Sequence, residues 1–172
     1  KGLNFGAPIP KYLERVTYGP TGSEYDVTSN CSVRSHRRLD CNLKPGVGSK
    51  LKWLVKIQGL ASRVSTATTS YAPPDILLVA PNTGVTQGGD IVRVDGINFG
   101  LPDPLAYTHI LFDNQRLLPT RTVIEGPISS KDYNGNHTGK MKHSVWFRIP
   151  PFPGQGINKH VVIVTGIGEA GG

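Results

Sequence analysis

Short apolar runs separated by turn residues make up most of this 172-residue chain. The run Ile76–Ala80 is continuous, and in Ile91–Val94 the side chains of Val92 and Val94 share one face, as in a strand with one buried side. The 21 glycines and 14 prolines punctuate the runs. No window keeps apolar residues at the helical spacing i, i+3, i+4, i+7. The pattern predicts an all-β fold with many short strands and little helix.

A five-residue phrase, glycine-x-asparagine-phenylalanine-glycine, occurs at Gly2–Gly6 and again from Gly96 to Gly100, a period of 94 residues. Two further pairs of strand-like stretches match downstream: Leu39–Gly48 with Val145–Gly156, and Leu54–Leu60 with Val161–Ile167. Two homologous units in tandem explain this repeat. The second has a longer middle, Leu117–Lys142, which we interpret as containing a loop insertion around Lys131–Gly139.

The start of the second unit carries a resemblance to a known family. The turn-rich Pro81–Gly89, followed by a strand and the phrase ending at Gly100, resembles the opening of an IPT/TIG domain, and Ser70–Pro74 resembles its close. The family, of the plexin and transcription-factor type, implies two tandem immunoglobulin-like β-sandwiches, at 1–73 and 74–172. The resemblance further implies an extracellular repeat protein. These motifs report a fold far better than a function.

Each unit departs from the family pattern at its outer end. The second has an opening segment, Asp75–Val94, but no closing strand like Ser65–Tyr71. The first has the closing strand but begins at Lys1, without an opening segment. A sandwich lacking a strand exposes unpaired backbone groups. We expect the gaps to be filled by neighbouring domains of a longer chain or by a strand donated from another copy of the protein.

Two cysteines and two glycosylation sequons indicate the compartment. Cys31 and Cys41, close in sequence, suit a local disulfide better than a zinc site, which needs four ligands. The sequons place candidate N-linked glycans on Asn30 and Asn136, both among turn residues. Together they predict a protein that is extracellular or at the cell surface.

Other motifs carry little chemistry. The net charge of +7 would suit an anionic partner, but we interpret the densest cluster, Arg34–Arg38, as a solvated loop. Gly166, Gly168 and Gly171 form the spacing of a dinucleotide-binding turn, yet no helix or later acidic residue supports it. Metal-hydrolase and nucleophile-elbow motifs do not occur. We therefore expect no enzyme, cofactor, metal site or catalytic residue.

The sequence favours a glycosylated structural protein whose domains assemble head-to-tail into a filament or surface array, with strand complementation between neighbours. The alternative is a fragment of a receptor or adhesin ectodomain that binds a protein or glycan. A nucleic-acid-binding IPT domain is disfavoured by the cysteines and sequons.

We also expect a stiff inter-domain junction at Tyr71, Pro73 and Pro74, because proline fixes φ and restricts the preceding residue. No apolar run is long enough for a membrane span.

Overall fold

The computed structural model describes residues 2–100, 106–127, 141–151 and 159–167. It divides the chain into two compact units, unit 1 at Lys1–Tyr71 and unit 2 at Ala72–Gly172, two residues before the predicted boundary. The described residues form thirteen strands and two short 3₁₀ turns, Pro10–Tyr12 and Thr28–Asn30. The all-β prediction is confirmed, and every strand pairing is antiparallel.

Unit 1 contains one four-stranded sheet and one hairpin. Its strands are β1 Leu13–Gly19, β2 Tyr25–Asp26, β3 Cys31–Ser35, β4 Arg38–Cys41, β5 Lys52–Ile57 and β6 Leu60–Ala61. The sheet has the order β2-β1-β5-β6, and β3 pairs with β4. Short strands of this kind follow from the frequent glycine and proline breaks.

Aromatic side chains fill much of the interior of unit 1. Tyr18 is fully buried and stacks on Tyr25 and Trp53, with ring centroids 5.1 and 4.9 Å apart. Its hydroxyl lies 2.5 Å from that of Tyr71, which donates to the carbonyl oxygen of Lys44 at 2.6 Å. These bonds fasten the last residue of unit 1 to its core.

Unit 2 is a sandwich of two sheets. Its strands are β7 Asp75–Ala80, β8 Ile91–Ile97, β9 Ala106–Phe112, β10 Gln115–Leu117, β11 Arg121–Pro127, β12 Met141–Arg148 and β13 Val161–Ile167. One sheet has the order β11-β12-β8-β7 and the other β10-β9-β13. Their inner faces meet in a single apolar cluster comprising Val92, Val94, Phe99, Ile110, Phe112, Val145, Phe147 and Ile163. Alternate residues of each strand supply it, as expected for strands buried on one face.

The repeated phrase has the same backbone conformation in both units. Asn4 and Asn98 have φ of 63° and 61°, and Gly6 and Gly100 have φ of 80° and 85°. Asparagine and glycine are the residues that adopt this left-handed region most readily. The repeat read from the sequence is therefore a repeat of local structure.

Strand pairing corrects the downstream alignment by one residue. Val55 lies opposite Val16 in unit 1, and Ile163 lies opposite Ile110 in unit 2. Val55 therefore corresponds to Ile163, whereas the sequence alignment placed it opposite Val162. Side chains alternate along a strand, so a slip of one residue exchanges the core face for the outer face.

Candidate functional site

In unit 1 both edges of β5 are paired. One edge bonds to β1, and the other to residues 60–71, which include β6 and the stretch Ser62–Tyr71, here called the closing segment. Thr69 and Leu51 exchange backbone hydrogen bonds in both directions, at 2.9 and 2.8 Å. The closing segment thus covers one edge of β5, but the closing strand expected at Ser65–Tyr71 is wrong in its form: the stretch is irregular, and only Thr69 makes a β-bridge, to Leu51.

Two serines of the closing segment each hold one residue of β5 by two hydrogen bonds. Ser62 donates its backbone N–H to the carbonyl of Val55 at 2.8 Å, and its hydroxyl accepts the N–H of Val55 at 3.0 Å. Ser65 does the same with Trp53, at 2.9 and 2.8 Å. We call each such arrangement a serine clasp. In a clasp, the serine side chain replaces the carbonyl that a regular strand would offer.

Within the described residues, the corresponding strand of unit 2, β13, pairs on one side only. Its partner is β9, along all seven residues from Val161 to Ile167. Asp113 donates its N–H to the carbonyl of His160 at 2.9 Å. This bond shows which residues of β13 direct their backbone groups toward β9. Bonded and non-bonded pairs alternate along antiparallel strands. The N–H and C=O groups of Val161, Ile163 and Thr165 therefore point away from β9, along an edge with no partner among these residues.

The open edge carries core residues rather than the charges that usually protect an edge. Ile163 is 6% exposed and belongs to the apolar cluster, and Val161 packs against it. A long, flat edge without charged side chains is a template for pairing with another strand. The β13 edge is therefore the candidate functional site of unit 2.

The predicted disulfide is present. Cys31 and Cys41 are bonded and lie directly opposite each other on β3 and β4, with their Cα atoms 4.0 Å apart. The candidate glycan site Asn30 is exposed and immediately precedes β3. The other candidate, Asn136, lies outside the described residues, and occupancy of both sites stays a prediction.

The junction residues are held by their own units. Besides its hydroxyl bonds, Tyr71 donates its N–H to Gly48 at 3.0 Å within unit 1. In unit 2 the carbonyl of Pro73 accepts a hydrogen bond from the side-chain amide of Asn98 at 3.0 Å, and Pro74 is half-buried. The stiffness of the junction stays a prediction.

The basic cluster lies on the β3–β4 hairpin. Arg34 and Arg38 are exposed and both pair with Asp40, at 3.3 and 2.8 Å. The hydrogen bond from Arg38 holds the pKa of the Asp40 carboxyl below its usual value. His36 and Arg37 at the tip are also exposed, consistent with a solvated loop.

The glycine-rich end of β13 does not have the geometry of a nucleotide site in its described part. Gly166 lies inside the strand, opposite Tyr107, whose ring occupies the space that a Cβ would need. Its partners in the motif, Gly168 and Gly171, lie outside the described residues. Gly166 therefore allows an aromatic ring to cross the strand, which explains this glycine without a ligand.

One buried charge network was not predicted from the sequence. Asp95 on β8 is almost fully buried. Its carboxylate accepts a 2.8 Å hydrogen bond from the hydroxyl of buried Ser144. It also forms ion pairs with Arg93 and Lys142, at 3.0 and 3.3 Å. The hydrogen bond that Lys142 donates to the carboxylate of Glu125, at 3.0 Å, raises the pKa of that lysine. Each charge has a partner, as burial requires. Ser144 is fully buried, so its hydroxyl is not accessible to solvent.

Comparisons with known proteins add no relative. No protein-family model, curated protein or solved structure matches the chain. Among the residues that the structure describes, no group of three or more metal-ligating side chains is placed to hold an ion. Over the same ranges, no helix has the length and apolar character needed to cross a membrane.

Proposed function

We propose that this protein is an extracellular, glycosylated structural protein whose IPT/TIG-like units assemble head-to-tail into a filament or surface array. Contact between neighbours is made by strand complementation, in which an extended segment of one molecule pairs with the open sheet edge of the next. A head-to-tail contact of this type generates a fibre when its rotation does not close a ring.

The open edge of β13 is the observation that carries the proposal. The corresponding edge of β5 is covered by the closing segment, whereas among the described residues the outer edge of β13 has no partner. Covering the edge pairs the outward backbone groups of Val161, Ile163 and Thr165. Each such hydrogen bond contributes roughly 1 kcal/mol.

An exposed apolar residue near the start of unit 1 also supports the proposal. Leu3 is 72% exposed, whereas its counterpart Ile97 is 1% exposed, although the surrounding phrase has the same conformation. In unit 2, strand β7 pairs alongside Ile97, and its residue Ile76 packs against the cluster that contains Phe99. A strand donated by a neighbour would bury Leu3 in the same way.

The disulfide and the exposed sequon support the location. A disulfide persists in oxidising compartments, and the one between Cys31 and Cys41 adjoins Asn30 on the surface of the hairpin. The glycan would project from a turn rather than from a packed face.

Negative-stain electron microscopy of the purified chain tests the proposal. We expect filaments with an axial repeat of about two sandwich domains, lost in the Val161→Pro variant and kept in Val161→Ala. Proline removes the outward N–H while leaving the bonds to β9, and it is tolerated at the first residue of a strand. Discrete particles at every concentration would overturn the filament and favour a fragment of a receptor or adhesin ectodomain.

A further inference from the structure

The net charge of the chain lies entirely in unit 1. This unit carries eleven of the nineteen Lys and Arg residues but only four of the twelve Asp and Glu residues, which leaves it at +7. In unit 2 the basic and acidic residues are equal in number, so its formal charge is zero. A charge distribution this asymmetric attracts a polyanion to one unit rather than to the whole molecule.

The four acidic residues of unit 1 are already engaged within it. Glu14 pairs with Lys56 at 3.0 Å, and Asp26 pairs with Arg15 at 3.5 Å. The carboxylate of Glu24 accepts hydrogen bonds from backbone N–H groups of its own turn. The fourth acidic residue lies on the β3–β4 hairpin. The excess cations of unit 1 therefore have no further carboxylate in the unit with which to pair.

The β3–β4 hairpin holds the densest part of this charge on a constrained backbone. The disulfide closes its base. At its tip, the carbonyl oxygens of His36 and Arg37 accept hydrogen bonds from the N–H groups of Phe5 and Gly2, at 3.0 and 3.2 Å. Because the backbone is held at both ends, less conformational entropy is lost when the hairpin binds a ligand.

Asp40 orients two guanidinium groups of the hairpin. Its carboxylate accepts hydrogen bonds from Nε of Arg38 at 2.8 Å and from Nε of Arg34 at 3.3 Å. Since both bonds use Nε, the terminal Nη groups of these arginines keep their N–H donors free within the described ranges. The exposed side chain of Arg37 has no acidic partner in the same ranges. Three solvated guanidiniums thus present planar donor groups of the kind that bind oxyanions.

We propose that the β3–β4 hairpin binds a sulfated acidic polysaccharide through Arg34, Arg37 and Arg38. The sulfate and carboxylate groups of such a polymer would accept hydrogen bonds from the three guanidiniums. Residues 31–41 include no Phe, Tyr or Trp, so the hairpin lacks the stacking side chains with which proteins bind single-stranded nucleic acids. The inference rests on the extracellular location in the proposed function and is independent of strand complementation.

Heparin, a heavily sulfated polysaccharide, is the probe. It is immobilised, and binding of the full chain is measured by surface plasmon resonance in about 0.15 M NaCl, where distant charges are screened. We expect the double variant Arg34→Gln, Arg37→Gln to bind about fivefold more weakly, because two exposed ion pairs with the polymer are lost. These substitutions leave the ion pair between Arg38 and Asp40 in place.

The matched control is the double variant Lys50→Gln, Lys52→Gln. It removes the same number of positive charges from exposed residues at β5, outside the hairpin. Its affinity for heparin should change by less than about twofold, because only screened long-range attraction is reduced. Equal losses in the two double variants would mean that heparin responds to total charge, and they would overturn the hairpin as the site. Absence of saturable binding by the wild-type chain would overturn it as well.

Competition identifies the class of partner. Soluble heparin should displace the chain from the surface, whereas heparin stripped of its sulfate groups should compete poorly. Equal competition by the desulfated polymer would overturn the requirement for sulfate. Stronger competition by duplex DNA of matched total charge would overturn the polysaccharide and assign the hairpin to a nucleic acid.

The two proposals fail separately. Affinity is also measured in the Val161→Pro chain, where a filament would not raise the avidity for the surface. Filaments in the electron microscope without heparin binding would keep the assembly and discard the hairpin site. Heparin binding by discrete particles of the wild-type chain would keep the hairpin site and discard self-assembly.

Discussion

At the scale of single residues, the glycine that opens the repeated phrase is fixed by a ring three positions later. A Cβ on Gly2 would overlap the ring of Phe5, and a Cβ on Gly96 would overlap that of Phe99. The second glycine has an additional constraint, because the carbonyl oxygen of Asp75 on β7 also occupies its Cβ position. One motif therefore tolerates different changes in the two units.

Replacing Gly96 by alanine should destabilise unit 2 by more than about 2 kcal/mol, since backbone and a buried ring must both move. Gly2→Ala is the matched control, in which only the half-buried ring of Phe5 has to shift. Chemical denaturation of both variants gives the comparison. Equal losses of the free energy of unfolding would mean that the contact with Asp75 has no energetic weight.

At the scale of elements, the sequence predicted those parts of the fold that depend on local pattern. The face shared by Val92 and Val94 is buried on β8, and the repeated phrase ends that strand as expected. The serine clasps were not predictable, because Ser62 and Ser65 read as ordinary loop residues until their partners on β5 are known. The burial of Asp95 likewise depends on cross-strand neighbours brought together by folding.

A buried histidine on β12 makes the stability of unit 2 depend on pH. Burial lowers the pKa of His143 from its ordinary value of 6.5, although a backbone hydrogen bond with Gly100 acts in the opposite direction. Its ring meets that of Phe99 edge-on, and Nδ1 has no hydrogen-bond partner among the described residues. Folding thus favours the neutral imidazole.

Unit 2 should therefore lose stability as the pH falls below about 6.5, where the unfolded chain takes up a proton more readily than the folded one. The loss continues until the pH reaches the lowered pKa of the folded state. His143→Leu should flatten this dependence between pH 7 and 5, above the range in which carboxylates titrate. Thermal melts across that range measure it, with the exposed His160→Leu as control. An unchanged slope in His143→Leu would contradict the assignment.

At the scale of the whole molecule, little chain lies between the last anchor of unit 1 and the first anchor of unit 2. Tyr71 is bonded to Gly48 and Lys44, and the carbonyl of Pro73 is bonded to Asn98. Only Ala72 separates these two anchored residues. A linker this short, followed by two prolines, has few backbone conformations to explore.

Replacing Pro73 and Pro74 together by glycine should broaden the distribution of inter-domain distances, because glycine restores the backbone freedom that proline removes. Small-angle X-ray scattering of the double variant measures this change as a larger radius of gyration. Pro20→Gly, an exposed proline within a loop of unit 1, is the control. A scattering curve identical to that of the wild type would show that the prolines do not set the stiffness.

The aromatic packing of the two units has an optical consequence. The chain contains two tryptophans, one in each unit: Trp53 stacks on Tyr18, and the guanidinium of Arg121 lies 4.9 Å from the ring centre of Trp146. With such different surroundings, the two indoles should differ in emission. The variants Trp53→Phe and Trp146→Phe each leave a single tryptophan beside the six tyrosines, so selective excitation of the remaining indole should record the melting of its unit in the intact chain.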